Sequence, residues 1–418
     1  MNLRRKISVI ALLFSLGLDA QVLTLDSILL IIEKQQPDLQ VYNAKINALN
    51  AYAEGARALD APQVGGGFFM TPYNPMLWKA DPSMYSNGMG SFMISAQQMI
   101  TNPRKLSANE DYMKSMSGME TEMKNTMRND IFSMAKMSYY ECVLLKRKLS
   151  ILQQSDELLA YLIKSTELRY TYGMDKMNAY YKAKGMQGDI ENMKLMMEQE
   201  IQQKRIELNT LMDRDKNFLF EVDTTLIIKS YENTVADSSL ITASRSDFKA
   251  IVKNENVLRS KQSYEQSKGL PDFGVKYDHM IGFGSQPQLY SLMFMVSVPV
   301  APWSSKMYQA NVSGLNYEIE SLKNQQESFV NTVSGNLENL KVKIGSKKQQ
   351  LALFEKIILP SMKKNYETTL LAYEQNTEEL FMVLDAWQSL KLMQLNYVDQ
   401  LQELILLQVE YEKQLEIK

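Results

Sequence analysis

The stretch Phe92-Met93-Ile94-Ser95 is followed 202 residues later by the similar stretch Phe294-Met295-Val296-Ser297. In both, apolar side chains alternate with small, polar or methionine side chains, and this period of two is typical of a β-strand. A further alternating segment precedes each stretch, from Gln63 to Met70 and from Phe273 to Asp278. The sequence therefore predicts two pairs of strands, at about residues 62–71 and 89–99 and at about 272–280 and 289–300.

The sequence around these strands also repeats. The offset of 202 aligns Arg104 with Lys306, and an offset of 203 aligns Tyr170 with Tyr373. Matches in the same order with nearly one offset indicate a unit that is used twice. We predict an internal two-fold sequence repeat, with units 21–236 and 246–418 joined by a linker at 237–245.

Long helices are predicted after each pair of strands. Residues from Arg104 to Tyr172 contain no proline and one glycine, and Gly173 interrupts the pattern. We predict helical hairpins over 104–213 and 306–416, the second turning at Asn376 and kinked at Pro360. Ordinary helices average about 11–12 residues, so these lengths favour a coiled-coil or tubular architecture.

The first twenty residues are predicted to be a secretory signal peptide. Arg4, Arg5 and Lys6 precede a short apolar segment that ends before Gln21. A basic segment, a short apolar segment and a small residue before the cleavage point are typical of such peptides. We therefore assign residues 1–20 to export and exclude them from the fold.

The composition excludes several classes of protein. The chain of 418 residues has one cysteine and one histidine, too few for a disulfide framework, a multi-histidine metal centre or most Ser/His or Cys/His catalysis. With 46 basic and 48 acidic residues, no positive excess indicates nucleic acid. No nucleophile–base pair or phosphate-binding loop is recognisable, so we predict a protein that is not an enzyme and has no cofactor.

The strand count constrains the assembly. Alternation with one apolar side fits a half-buried soluble sheet or a transmembrane barrel. Small barrels need about eight strands, and open edges are not tolerated in lipid. Four strands per chain therefore imply either a sheet outside the membrane or a barrel shared by several chains.

The sequence resembles the TolC family of outer-membrane efflux proteins over almost its whole length. Besides the paired strands and the duplicated plan, the resemblance rests on three motifs: Leu23-Thr24-Leu25-Asp26, Tyr170-Thr171-Tyr172-Gly173 and Val383-Leu384-Asp385-Ala386. It implies a mixed α and β membrane protein: a homotrimer with a twelve-stranded barrel in outer-membrane lipid and an α-helical, coiled-coil tunnel in the periplasm. It also implies a periplasmic adaptor (membrane fusion) protein and an inner-membrane efflux pump as partners in a tripartite pump.

The same resemblance implies roles for particular residues. The family often has Asp-Val-Leu-Asp-Ala at the periplasmic entrance, where this chain has Met382-Val383-Leu384-Asp385-Ala386. Asp385 is therefore expected at the entrance or gate, and Met382 replaces the other aspartate. The two hairpin tips, expected to dock the adaptor, are placed at Tyr172, Gly173, Gln375 and Asn376.

Methionine is unusually abundant, with 28 residues. Most could simply fill gaps in helix packing. Thioethers are also soft ligands for Cu(I), so Met93, Met295 and Met382 are predicted as transient metal ligands. This favours the heavy-metal (copper or silver) branch of the family, with drugs or other organic compounds as the alternative cargo. A periplasmic coiled-coil scaffold or adaptor without a pore is the alternative of another class.

Overall fold

The structure, a computed structural model, describes residues 22–84, 87–173, 176–231, 238–299 and 301–417. The predicted signal peptide lies outside the described residues. In chain order the helices and strands are β1 (Val22–Leu23), α1 (Leu25–Gln35), α2 (Pro37–Gly55), β2 (Gln63–Phe69), β3 (Ser91–Ile100), α3 (Pro103–Thr171), α4 (Met177–Leu211), β4 (Glu221–Val222), α5 (Ser238–Ser244), α6 (Ser246–Ser267), β5 (Asp272–Gly282), β6 (Leu289–Ser297), α7 (Pro302–Leu353), α8 (Leu359–Glu374) and α9 (Leu380–Leu415).

The four predicted strands form one antiparallel sheet in the order β2-β3-β5-β6. Its central pair, β3 and β5, joins the two halves of the chain, because Ser91 pairs with Gly282 and Ile100 with Phe273. β2 and β6 are the edge strands, each with one neighbour among the described residues. Both edges therefore offer backbone groups to a further strand.

The helices are as long as the sequence predicts. α3 has 69 residues, about 100 Å at about 1.5 Å per residue. It begins at Pro103, whose fixed φ suits the first helical turn, and Asn102 caps it by accepting a hydrogen bond from the Arg104 N–H. α4 runs back along α3, and α9 runs back along α7 and α8, so each half contributes a helical hairpin.

The structure adds detail to two local predictions. A π-helical turn at Phe354–Ile358 lies just before Pro360, where a kink is predicted, and α8 continues past the proline to Glu374. The π turn accommodates the missing proline N–H and keeps the helix running. The stretch predicted as a linker is largely helix α5, while its first residue, Asp237, lies outside the described residues.

Three apolar clusters hold the helices together. The first packs α1 against α3, α4 and the short β1–β4 ladder, around side chains such as Ile28 and Phe220. The second lies near the hairpin turns, around Leu159 and Trp387. The third joins α3, α7 and α9 around Leu337 and Leu401. Cys142 is buried in the first cluster, and burial raises the pKa of its thiol.

Within the described ranges, every helix is too short or too polar to cross a bilayer.

Candidate functional site: the sheet faces and the hairpin turns

The two faces of the sheet differ in chemistry. Pairing places Gly65 beside Ser95, Ser95 beside Asp278 and Asp278 beside Ser291, so one face carries small and polar side chains together with several methionines. We call this the polar face. The opposite, apolar face carries large apolar side chains: Val64, Phe68, Phe92, Ile94, Ile100, Phe273, Val275, Tyr277, Ile281, Tyr290, Leu292, Phe294 and Val296.

Most of the apolar face is exposed on the single chain. Phe294, near the middle of β6, is 75% exposed, and Phe68, near the end of β2, is 66% exposed. A continuous exposed apolar surface of this kind marks contact with a lipid or a protein. His279 also lies on this face, between Ile94 and Tyr290, and β5 continues beyond it to Gly282 rather than ending near it as predicted.

An ion pair between two β5 residues lies on the polar face. Lys276 Nζ lies 3.1 Å from Asp278 Oδ1, two residues farther along β5, and the Asp278 side chain is buried. Because residues two apart on a strand share a face, both charges lie on the polar face. The pair leaves this part of the face without net charge.

The polar face also carries methionines that the sequence analysis did not select. Met93 lies opposite Met280, while Met295 lies opposite Gly274, whose other neighbour is Met99. Met293 lies opposite Lys276. Met99, Met280 and Met293 follow the period-2 alternation of their strands. That alternation could have predicted from the sequence that they lie on the polar face.

The three predicted metal ligands do not come together within one chain. Met93 and Met295 share the polar face, but their partners on β5, Met280 and Gly274, are six residues apart. That separation is about 20 Å along a strand. Met382 lies on α9, away from the sheet. In the described part of the chain, His, Cys, Asp and Glu form no group of three that could hold a metal ion.

The sheet is tied to α3 by a second ion pair. Lys105 Nζ lies 2.7 Å from Asp272 Oδ2, and the Asn102 backbone N–H donates to Asp272 Oδ1 at 2.9 Å. Asp272 therefore holds the first residue of β5 against the N-terminus of α3. The negative charge there also suits the positive end of the helix dipole.

Aromatic side chains pack at the other end of the sheet. Trp78 stacks on Phe283 with ring centroids 5.2 Å apart, and Phe68 lies 5.6 Å from Trp78. The Trp78 Nε1–H donates to the Pro72 carbonyl at 2.8 Å. The connection between β2 and β3 is thus anchored on the apolar face.

The predicted hairpin tips lie in the two turns. Tyr172 and Gly173 follow α3, and Gly173 has a φ of 73°. Gln375 and Asn376 follow α8, and Asn376 has a φ of 60°. Glycine and asparagine are the residues that adopt this left-handed conformation most readily, which explains why both helices end there.

The two turns are held together. The Arg169 guanidinium donates to Asn376 Oδ1 and lies 4.5 Å from the centre of the Tyr373 ring. Lys176 Nζ lies 2.9 Å from Glu379 Oε1. We call these contacts of Arg169 and Lys176 the tip contacts. They connect the first hairpin to the second at the end remote from the sheet.

Asp385 and Met382 lie on one exposed face of α9. They are three residues apart, which places them one above the other on a helix, and both are exposed. Their neighbours Val383, Leu384 and Ala386 are buried in the second apolar cluster. The apolar residues of the motif thus position the helix, and the Asp385 carboxylate lies on its exposed side.

A buried carboxylate joins the two halves near the C-terminus. Glu412 accepts hydrogen bonds from Lys136 at 2.5 Å, Lys229 at 2.7 Å and Tyr231 at 2.5 Å. Burial alone would raise the pKa of Glu412, but the hydrogen bonds from these groups outweigh it and lower the pKa. Burial and the neighbouring Glu412 together raise the pKa of Tyr231.

Solved structures with a similar fold include bacterial outer membrane proteins and channels. VceC, an outer membrane protein of Vibrio cholerae, is 14% identical with a TM-score of 0.73, over 94% of this chain and 95% of that one. CmeC, an outer membrane channel of Campylobacter jejuni, is 13% identical with a TM-score of 0.71, over 94% and 85%. The open state of MtrE, an outer membrane channel of Neisseria gonorrhoeae, is 12% identical with a TM-score of 0.69, over 94% and 88%. No protein-family model and no curated protein matches the sequence.

Proposed function

We propose that this chain is one protomer of a TolC-family outer-membrane duct that passively exports substrates from the periplasm or from an inner-membrane pump. The observation that carries the proposal is the four-stranded sheet, with one exposed apolar face, one polar face and two open edges. The fold likeness to outer membrane channels over 94% of the chain supports it. On this proposal the protein has no catalytic activity.

The open edges determine the assembly in this proposal. Unpaired backbone groups in lipid cost several kcal/mol each, so β2 and β6 cannot remain edges there. Pairing β6 of one chain with β2 of the next gives a closed barrel of twelve strands in a homotrimer. The apolar face then contacts outer-membrane lipid, and the polar face lines a water-filled lumen.

The helices form the periplasmic part. α3, at about 100 Å, is far longer than a bilayer is thick, so it extends the lumen away from the membrane. Asp385 and Met382 would then surround the periplasmic entrance, three copies of each. The turns at Tyr172–Gly173 and Gln375–Asn376 would dock the periplasmic adaptor, and residues 1–20 would direct export.

The cargo is proposed to be copper or silver ions, with organic compounds as the alternative. Met93, Met295 and Met382 would be passing contacts for the metal, because thioethers bind soft cations without losing a proton. This choice is tested by deleting the gene and measuring the tolerance of the cells to copper, silver and organic compounds. Unchanged copper and silver tolerance with lost resistance to organic compounds would favour the alternative.

Purified protein tests the duct itself. We expect the detergent-solubilised protein to have three times the mass of one protomer and to conduct ions across a planar lipid bilayer. A water-soluble single chain, or a trimer that never conducts even as the Asp385→Ala variant, would favour a scaffold or adaptor instead.

A further inference from the structure

Methionine is segregated within the sheet. All five methionines in β3, β5 and β6 lie on the polar face: Met93, Met99, Met280, Met293 and Met295. The apolar face is mostly Val, Ile, Leu, Phe and Tyr, with Gln98 and His279 among them, and has no methionine among its described positions. If methionine served only as apolar filler, the lipid-facing side would be its natural place. Its restriction to the polar face indicates that the sulfur has a use there.

Two of these methionines converge over a glycine. Gly274 on β5 lies between Met99 on β3 and Met295 on β6 in the same row of the sheet. A Cβ added to Gly274 would lie 2.5 Å from the Met99 sulfur and 3.2 Å from the Met295 methyl carbon. Both thioether ends therefore occupy the space above one backbone position, although their strands are about 10 Å apart.

The charges around this space are already balanced. Asp272, the next β5 residue on the same face, is paired with Lys105 at 2.7 Å. On the other side, Lys276 is paired with Asp278 at 3.1 Å. The pair of sulfurs is thus flanked by neutral ion pairs and by no described cluster of hard ligands. Such surroundings favour binding of a soft cation over binding of a hard divalent cation.

We propose that Met99 and Met295 form, over Gly274, a binding site for a soft monovalent cation such as Cu(I) or Ag(I). The inference rests on the proposed duct, since it takes the polar face as the lumen, and it narrows the cargo to thiophilic cations. Thioethers bind Cu(I) without deprotonation, so the site works at any periplasmic pH. Two neutral ligands give weak binding, and a conduit needs sites that the ion can leave.

Silver binding to the purified full-length protein in detergent tests the site. Ag(I) is titrated by calorimetry in nitrate buffer, because chloride would precipitate the metal. We expect Met99→Leu/Met295→Leu to lose one bound equivalent per protomer. Met293→Leu, which removes a methionine from the same face beside Lys276, should bind as the parent does.

A second variant keeps both sulfurs and changes only their placement. In Gly274→Ala the new methyl group would occupy the position 2.5 Å from the Met99 sulfur, so the two thioethers can no longer converge. We expect weaker silver binding with an unchanged trimer mass. Full binding by either Gly274→Ala or Met99→Leu/Met295→Leu would overturn the proposal. Loss of silver binding only in Met93→Leu/Met280→Leu, the other facing methionine pair of the polar face, would also overturn it.

Conductance of the same samples separates this site from the duct. Trimers that conduct but bind no silver through Met99 and Met295 would refute the proposed site and leave the proposed duct function standing. A protein that binds silver through this pair but never conducts would retain the site and refute the duct.

Discussion

Lys176 Nζ lies 2.9 Å from Glu379 Oε1, so the residue before α4 is joined to the residue before α9. Both side chains are mostly exposed, and an exposed ion pair contributes only about 0–1 kcal/mol. A contact this weak can hold two hairpin turns together and still release them. The Lys176–Glu379 pair can therefore break at little cost in free energy.

Removing the tip contacts should open the proposed entrance. We expect Arg169→Ala/Glu379→Gln to raise the conductance of the duct in a planar bilayer. Arg169 contributes a hydrogen bond to Asn376 and a contact with Tyr373, so its loss should matter more than that of Glu379 alone. The melting temperature should change little, because the apolar cluster behind the turns is retained.

A matched charge removal serves as the control for this experiment. Glu367 lies 3.9 Å from Lys363 on the same helix, α8, and connects no second element. Glu367→Gln should leave the conductance unchanged. Equal conductance in the parent and the Arg169→Ala/Glu379→Gln variant would show that the tip contacts do not restrict passage.

The buried carboxylate of Glu412 should matter far more for stability. Glu412→Gln leaves Lys136 buried without its counter-charge, and breaking a buried pair costs about 3–5 kcal/mol. We expect a loss of that size in the free energy of unfolding, measured by urea denaturation in detergent. Glu403→Gln is the control, because Glu403 pairs with Lys347 while exposed to solvent and should cost about 0–1 kcal/mol.

The Glu412 carboxylate also predicts that the stability of the fold depends on pH. Hydrogen bonds lower the pKa of Glu412 in the folded chain, whereas an unfolded glutamate titrates at about 4.3. A lowered pKa stabilises the fold above about pH 4.3, and this contribution is lost as the pH falls through the folded value. The stability gap between the parent and Glu412→Gln should therefore shrink on acidification. A gap that stays constant down to about pH 3 would contradict the assignment.

Features that depend on nearby residues could be predicted from the sequence. The period-2 stretches gave the four strands to within about three residues, and Gly173 and Asn376 ended their helices as expected. Thr24 caps α1, since its Oγ1 accepts a hydrogen bond from the Ser27 N–H, and threonine is a common residue at this position. Each of these follows from the conformational preferences of a few adjacent residues.

Features that depend on pairing between distant residues could not be predicted from the sequence. The sequence placed Met295 on one side of its strand, but only the register through Gly274 brings it to Met99. Likewise, Lys136 and Glu412 are 276 positions apart, and nothing local indicates that they meet. Strand register and helix packing are set by the whole fold, so partners of this kind appear only in three dimensions.

Small residues on α2 should lie between protomers. Ala44, Ala48, Ala51 and Gly55 share one helix face, and all four are exposed on the single chain. Small side chains allow a neighbouring helix to approach closely, so the proposed trimer should cover this face. We expect Ala51→Trp to reduce the trimer fraction measured by light scattering in detergent. Asn50→Trp, at an exposed position on a different side of α2, should assemble normally, and full assembly of both variants would place the interface elsewhere.

The carboxylate at the proposed entrance gives the last prediction. Asp385 and Met382 are exposed on one face of α9, so three chains around an axis would bring three carboxylates together. Rings of carboxylates attract cations in channels. Asp385→Asn should therefore weaken the block of conductance by added divalent cations. Met382→Asp should strengthen the block, because it adds a second ring one turn away, whereas Met382→Leu should leave it unchanged. An identical block in the parent and in Asp385→Asn would mean that Asp385 does not face the lumen.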